Sequence, residues 1–286
     1  MRRSFGAVVI SLAALLFVYA IHAAGVAHIR DAASRIGWGF ALIVLLAGAR
    51  EVARTLAWMR AVEGPAHLPF CDALSARLAG EALNTLLPMG VVVGEPAKAA
   101  RVRHRLPFGT AFTALMIELA FYGASVVLLF AVGVLAVLPR LALLSLATVA
   151  CVSLTQVAGR VQSLCESIIA FAVRHPYRAW SIVALEAIYH SLAVAEVYVT
   201  VFLISPADAG WVPAIVLETV NRAVTIVFKM LPLRIGIDEA AAALVGRRFE
   251  LGTTTGLLLA LVRKMRLLVW SAIGLGLMLR RRAVQA

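Results

Sequence analysis

The sequence predicts an all-α polytopic membrane protein with about six full transmembrane helices and two re-entrant, broken-helix hairpins in inverted repeat. Three observations carry that expectation. Hydrophobic residues make up 62% of the 286 and mean hydropathy is +0.94, well above a soluble domain. Several apolar runs reach the roughly 20 residues that cross a bilayer as a helix. Two further stretches, 80–109 and 217–252, lie between such runs, yet they carry charges and are interrupted by proline and glycine.

The chain reads as a single integral membrane domain, 1–286. A first span covers about 6–24, behind Arg2 and Arg3, and its apolar run is longer than the core of a cleaved signal peptide. The second, about 36–58, ends in Arg50, Glu51, Arg54 and Arg60. Arg50 and Arg54 are one helical turn apart, which suits either snorkelling to an interface or an anion-facing pair. Spans at about 109–138 and 141–157 follow, then an interfacial amphipathic segment at 159–178. A span at about 179–204 carries Glu186 and His190, one turn apart and placed to bond each other, and Glu196. The segment 211–230 leads into the second break, and the last span covers about 254–279.

The two interrupted stretches resemble each other. Asn84 and Asn221 are the only asparagines, and each follows a glutamate by three residues, Glu81 and Glu218. Pro88 precedes Glu95 by seven residues and Pro232 precedes Glu239 by seven. These are the cores of repeat-like halves at about 68–138 and 211–280. In the first, a new helix is expected to start at Gly94-Glu95-Pro96, since proline is tolerated at the first helical position. In the second, Asp238 suits an N-cap and Gly246 a stop. Paired interrupted segments in corresponding halves point to a transporter's binding site. If both are re-entrant, three spans separate them and they enter from opposite faces. Arginine then collects on one side, which places both termini in the cytoplasm of a bacterial-type inner membrane.

The formal net charge of +12 does not signal nucleic acid here, because the basic residues gather at span ends. Three cysteines without metal-type spacing, and the lack of any zinc, haem, nucleotide or nucleophile motif, leave no expected cofactor, metal or catalytic residue. What remains are charges inside apolar surroundings, which in a membrane face a bundle interior or a water-filled cavity. Arg54, Arg77, Asn84, Lys98, Arg101, Asn221 and Arg222 are the candidate ligand-binding residues. Glu81, Glu95, Glu118, Glu218, Asp238 and Glu239 are the candidates for gating or coupling. Pairs such as Arg77–Glu81 and Glu218–Arg222 have the spacing to neutralise each other along a helix.

On these residues the chain resembles the transmembrane region of lysylphosphatidylglycerol synthases, a family of flippase-like membrane proteins. The carrying features are the arginine-rich end of span two with Trp58, and the series Arg77, Gly80, Asn84, Pro88, Gly94-Glu95. Glu118 and the later Pro232, Gly236, Glu239 extend it. Lys98 stands where the family often has arginine, Val93-Gly94 replaces a glycine pair, and Arg234 sits where a small residue is common. The resemblance implies movement of an amphipathic lipid between leaflets: an anionic phospholipid, a hopanoid or a polyprenyl or glycolipid. It also implies no lysine transfer, since 286 residues leave no room for the soluble aminoacyltransferase domain. Membrane lipids are the expected partners. The alternative expectation is a non-catalytic partner of a lipid- or glycan-modifying synthase, with a lipid-phosphate enzyme behind it.

Overall fold

Helix α1, Gly39–Ala61, buries Ile43, Ala47, Arg50, Ala57 and Ala61, a stripe at the three-to-four-residue spacing of one helix face. In this computed structural model the stripe packs along helix α5, Pro176–Ile204, whose buried face runs through Ile182, Glu186, Tyr189, Ala193, Glu196 and Thr200. The structure describes residues 34, 36–64, 67–137, 166, 168–228, 234, 237–249, 251 and 253–285. All regular elements among them are helical. The spans expected at 6–24 and 141–157, and Pro232 and Gly236, lie outside the described residues.

Between α1 and α5 come α2 (Phe70–Leu86), α3 (Gly90–Arg101) and α4 (Phe108–Val137). After α5, a 3-10 turn at Pro206–Asp208 leads to α6 (Trp211–Val227), α7 (Ile237–Arg248) and α8 (Thr253–Gln285). Helix α2 stops where it does because Pro88 drives Leu87 into the extended region, at ψ 144°. Met89 then adopts a left-handed φ of 52° and α3 begins at once. The restart is thus at Gly90 rather than Pro96, which lies inside α3. Likewise α7 begins at Ile237 and runs past Gly246, so Asp238 sits in the first turn instead of capping it. Arg234, just ahead of α7, has φ 41°. It and Met89 are the only non-glycine residues with positive φ among those described, one in each break.

Helices α2–α4 and α6–α8 correspond in length and in packing order. Helices α2 and α6 each have 17 residues, α3 and α7 each have 12, and α4 and α8 have 30 and 33. Packing follows the same order: α2 on α3, α3 on α4 and α4 on α6, against α6 on α7, α7 on α8 and α8 on α2. Even the close approaches correspond. A Cβ on Gly274 of α8 would lie 2.3 Å from Leu78 O, and one on Gly133 of α4 would lie 2.5 Å from Thr219 Oγ1. Leu78 and Thr219 are each the ninth residue of their helix. Small residues at such crossings let backbones approach where no hydrophobic force distinguishes helix from lipid.

The tightest approach is inside the first hairpin. A Cβ on Gly94 would stand 1.9 Å from Asn84 Oδ1 and 2.5 Å from Gly80 O. The carbonyl belongs to a helix backbone and has nowhere to move. Gly94→Ala is therefore expected to destabilise the protein by about 3 kcal/mol, the upper end of overpacking costs. Thermal unfolding in detergent reads this, and an unchanged midpoint would show that α2 and α3 separate without cost.

The outer face is apolar. Leu45, Leu128, Leu135, Trp180, Phe202 and Trp211 are exposed. Helices α4, over Phe108–Ala136, and α5 are long and apolar enough to cross a membrane.

Candidate functional site

Inside this apolar shell lies a cavity of about 230 Å³, reached by side chains from every one of the eight helices. Helix α1 contributes Arg50, Glu51 and Arg54, and α2 contributes Glu81 and Asn84. Glu95 comes from α3, Tyr122 from α4, Tyr189 from α5, and Asn221 and Arg222 from α6. Asp238 comes from α7, with Arg234 just before it, and Arg263, Arg266 and Trp270 come from α8.

Ion pairs organise its walls. On the α2–α3 side, Lys98 Nζ donates to Glu81 Oε1 at 2.6 Å and Glu95 Oε1 at 2.7 Å. Asn84 Nδ2 donates to Glu95 Oε1 at 2.9 Å, so the break's two sides are tied through one carboxylate. Deeper, Glu118 Oε1 lies 2.7 Å from Arg54 Nε and 3.3 Å from Arg77 Nη2. Arg77, with no exposed surface, also reaches Glu51 at 3.3 Å and Glu81 at 3.9 Å.

On the α6–α8 side, Glu218 takes Arg222 at 2.6 Å and Arg263 at 3.4 Å. Glu196 takes Arg50 at 2.7 Å and is bonded by Arg266 as well. The Tyr189 hydroxyl oxygen accepts from Arg50 Nη2 at 3.1 Å and Arg222 Nη1 at 2.9 Å. The guanidinium of Arg54 lies 4.2 Å from the Tyr122 ring centre, a cation–π contact. Lys264 bonds Glu239, and Arg234 holds Asp238 at 3.0 Å.

Helices α2 and α4 carry the same ion-pair scheme as α6 and α8, with its polarity reversed. Position eight of α2 is Arg77, ion-paired with position twelve (Glu81) and with position eleven of α4 (Glu118). Position eight of α6 is Glu218, bonded to position twelve (Arg222) and to position eleven of α8 (Arg263). One half thus centres a cation between carboxylates, and the other centres a carboxylate between guanidiniums.

Of the residues singled out from the sequence, Arg54, Glu81, Asn84, Glu95, Asn221, Arg222 and Asp238 line the cavity. Arg77, Lys98, Glu118 and Glu218 are not in the lining and pair with residues that are. Glu239 stands behind the wall with Lys264. Arg101 points elsewhere, donating to Leu277 O at 2.6 Å. Glu186 and His190 do not bond each other: His190 Nε2 pairs with Ser125 Oγ at 2.9 Å, while both Glu186 oxygens are buried without a hydrogen bond. Tyr122, Tyr189 and Trp270 went unread in the sequence, because an aromatic residue in an apolar span has no distinguishing pattern. Among the described residues no cluster of three metal-type ligands occurs.

An apolar helical shell around a charged interior defines an integral membrane protein with a polar chamber. Residues 4–276 match the transmembrane region of lysylphosphatidylglycerol synthases, and the chain belongs to that family. Comparison with curated proteins and with solved structures gave no match. The family ties the protein to the membrane and to lipid-related function.

Proposed function

We propose that this protein moves an amphipathic lipid between the leaflets of a bacterial-type inner membrane, its head group passing through the cavity while the tails stay in the bilayer. The observation that carries the reading is the cavity itself: about 230 Å³ of space, lined by six arginines and four carboxylates within an apolar bundle. A purely structural bundle would be at least as stable with leucine and alanine there, since the desolvation of buried charges offsets what their pairing returns.

In this reading α2–α3 and α6–α7 are the two re-entrant hairpins of an inverted repeat, and both termini face the cytoplasm. Matching helix lengths, a left-handed residue in each break and the polarity-reversed ion pairs support that arrangement. Lys98 lies between Glu81 and Glu95 and can release either. Glu95 is thereby suited to gating or proton coupling. The lipid leaves chemically unchanged.

The test is a leaflet-accessibility assay in proteoliposomes with labelled anionic, zwitterionic and isoprenoid lipids. Selective, protein-dependent flipping is the expected result. No flipping of any lipid would overturn the reading in favour of a non-catalytic partner of a lipid- or glycan-modifying enzyme, sought by co-purification.

A further inference from the structure

Charge is unevenly shared between the cavity's walls. Arg50, Arg222, Arg263 and Arg266 share two carboxylates, Glu196 and Glu218. In a second cluster, Glu51, Glu81, Glu95 and Glu118 meet three cations, Arg54, Arg77 and Lys98. Arg234 with Asp238 is a balanced pair between them. Counted against the carboxylates they ion-pair with, Arg50, Arg222, Arg263 and Arg266 carry two positive charges in excess. Two of their guanidiniums are also pinned to one phenol oxygen, that of Tyr189, so like charges are held close where water is scarce.

Two buried donors on this wall have no acceptor among the described residues. They are Arg50 Nε, on a residue only 8% exposed, and Trp270 Nε1, whose indole borders the cavity one helical turn from Arg266. The indole lies against Gly48 of α1, where a Cβ would come within 2.7 Å of its ring. Buried N–H groups left unbonded are costly, and surplus guanidiniums beside them call for an acceptor that is also an anion. Guanidinium forks match the oxygens of a phosphate group better than they match any neutral acceptor.

We propose that the α1–α6–α8 wall is an anion subsite that takes a phosphate-ester group on Arg50, Arg222, Arg263, Arg266 and the Trp270 N–H. The site is distinct from Lys98 and Arg54, whose charges are already matched by Glu81, Glu95 and Glu118. The inference deepens the translocation reading and rests on it for the route by which a lipid head group arrives.

The experiment is calorimetric titration of the full-length protein in neutral detergent, with three probes: dihexanoyl phosphatidic acid, inorganic phosphate and uncharged dihexanoylglycerol. Phosphatidic acid is expected to bind and dihexanoylglycerol not. Arg266→Gln should weaken binding by about tenfold or more, the loss of one charge-assisted hydrogen bond. Trp270→Phe removes a donor without removing charge and should weaken it several-fold, which keeps the test open if the arginine variant misfolds. Arg105→Gln, at an exposed pair with Asp72, should change nothing. Binding of inorganic phosphate with the same dependence on Arg266 and Trp270 would support the subsite and name free phosphate as an occupant. Binding of phosphatidic acid alone would assign it to a lipid head group. Absence of binding by both anions, or binding indifferent to both variants, would overturn the proposal. Flipping of neutral lipids alone would keep translocation and sink the anion subsite, and anion binding without flipping would do the reverse.

Discussion

Glu118→Ala is expected to destabilise the protein by about 3–5 kcal/mol, the cost of removing one partner from a buried ion pair. Glu118 is 1% exposed and is the shared partner of two guanidiniums, Arg54 and Arg77. Without it, Arg54 loses the carboxylate it donates to and is left against the aromatic faces of Tyr122 at 4.2 Å and Tyr189 at 5.6 Å. Arg77 retains Glu51 and Glu81, but at 3.3 and 3.9 Å. Both cations then lie within the bundle with too little negative charge. Glu118→Gln retains an acceptor oxygen and is expected to fall between alanine and wild type. Thermal unfolding in detergent measures the series. A midpoint for Glu118→Ala within about 2 °C of wild type, a shift smaller than 1 kcal/mol produces in a chain of this size, would show that the cluster is not held by this carboxylate.

Glu95→Gln is expected to reduce lipid flipping to the protein-free background while leaving the fold intact. Lys98 would still have Glu81 at 2.6 Å, and the new side-chain oxygen would still accept from Asn84. Stability should thus fall by no more than about 1.5–3 kcal/mol, the scale of a hydrogen bond to a charged group. What disappears is a second carboxylate that competes for one ammonium at the point where α2 and α3 are joined. Under the translocation reading that competition lets the hairpin exchange partners as a head group passes. Proteoliposomes with the variant at wild-type density decide it. Full activity in Glu95→Gln would remove Glu95 from any gating or coupling role, and loss of activity together with unfolding would mark it as structural.

Much of the architecture was legible because its signals are local. Apolar runs at helical spacing predicted helices near 36–58, 109–138, 179–204 and 254–279, found as α1, α4, α5 and α8, of which α4 and α5 are long and apolar enough to cross a membrane. Proline restricts the residue before it wherever it occurs, so the break at Pro88 could be read directly and Leu87 obeys it. The restart could not. Nothing in the sequence predicts that Met89 adopts a left-handed conformation and lets α3 begin at Gly90, six residues before Pro96. Packing of Gly90 and Gly94 against the Leu83–Asn84 backbone and side chain selects it.

The charged residues themselves were also readable, since a charge in an apolar setting needs a reason. Their pairing was not. Sequence spacing proposed Arg77–Glu81 and Glu218–Arg222 along single helices, and both pairs exist. The partners that complete the clusters come from far along the chain, as Arg50 and Glu196 do across 146 residues. The likeness between the two interrupted stretches shows the same division. The glutamate–asparagine spacing in both stretches suggested matching Glu81 with Glu218, whereas position in the helix matches Glu81 with Arg222 and Arg77 with Glu218. A charge reversal preserves an ion pair's attraction while erasing its likeness in sequence. The sequence by itself determined that this chain is an all-helical member of a membrane family with charges in its interior. Only the tertiary structure decided that those charges form an arginine wall facing a carboxylate wall, because an electrostatic surplus belongs to side chains gathered from different helices and to no segment alone.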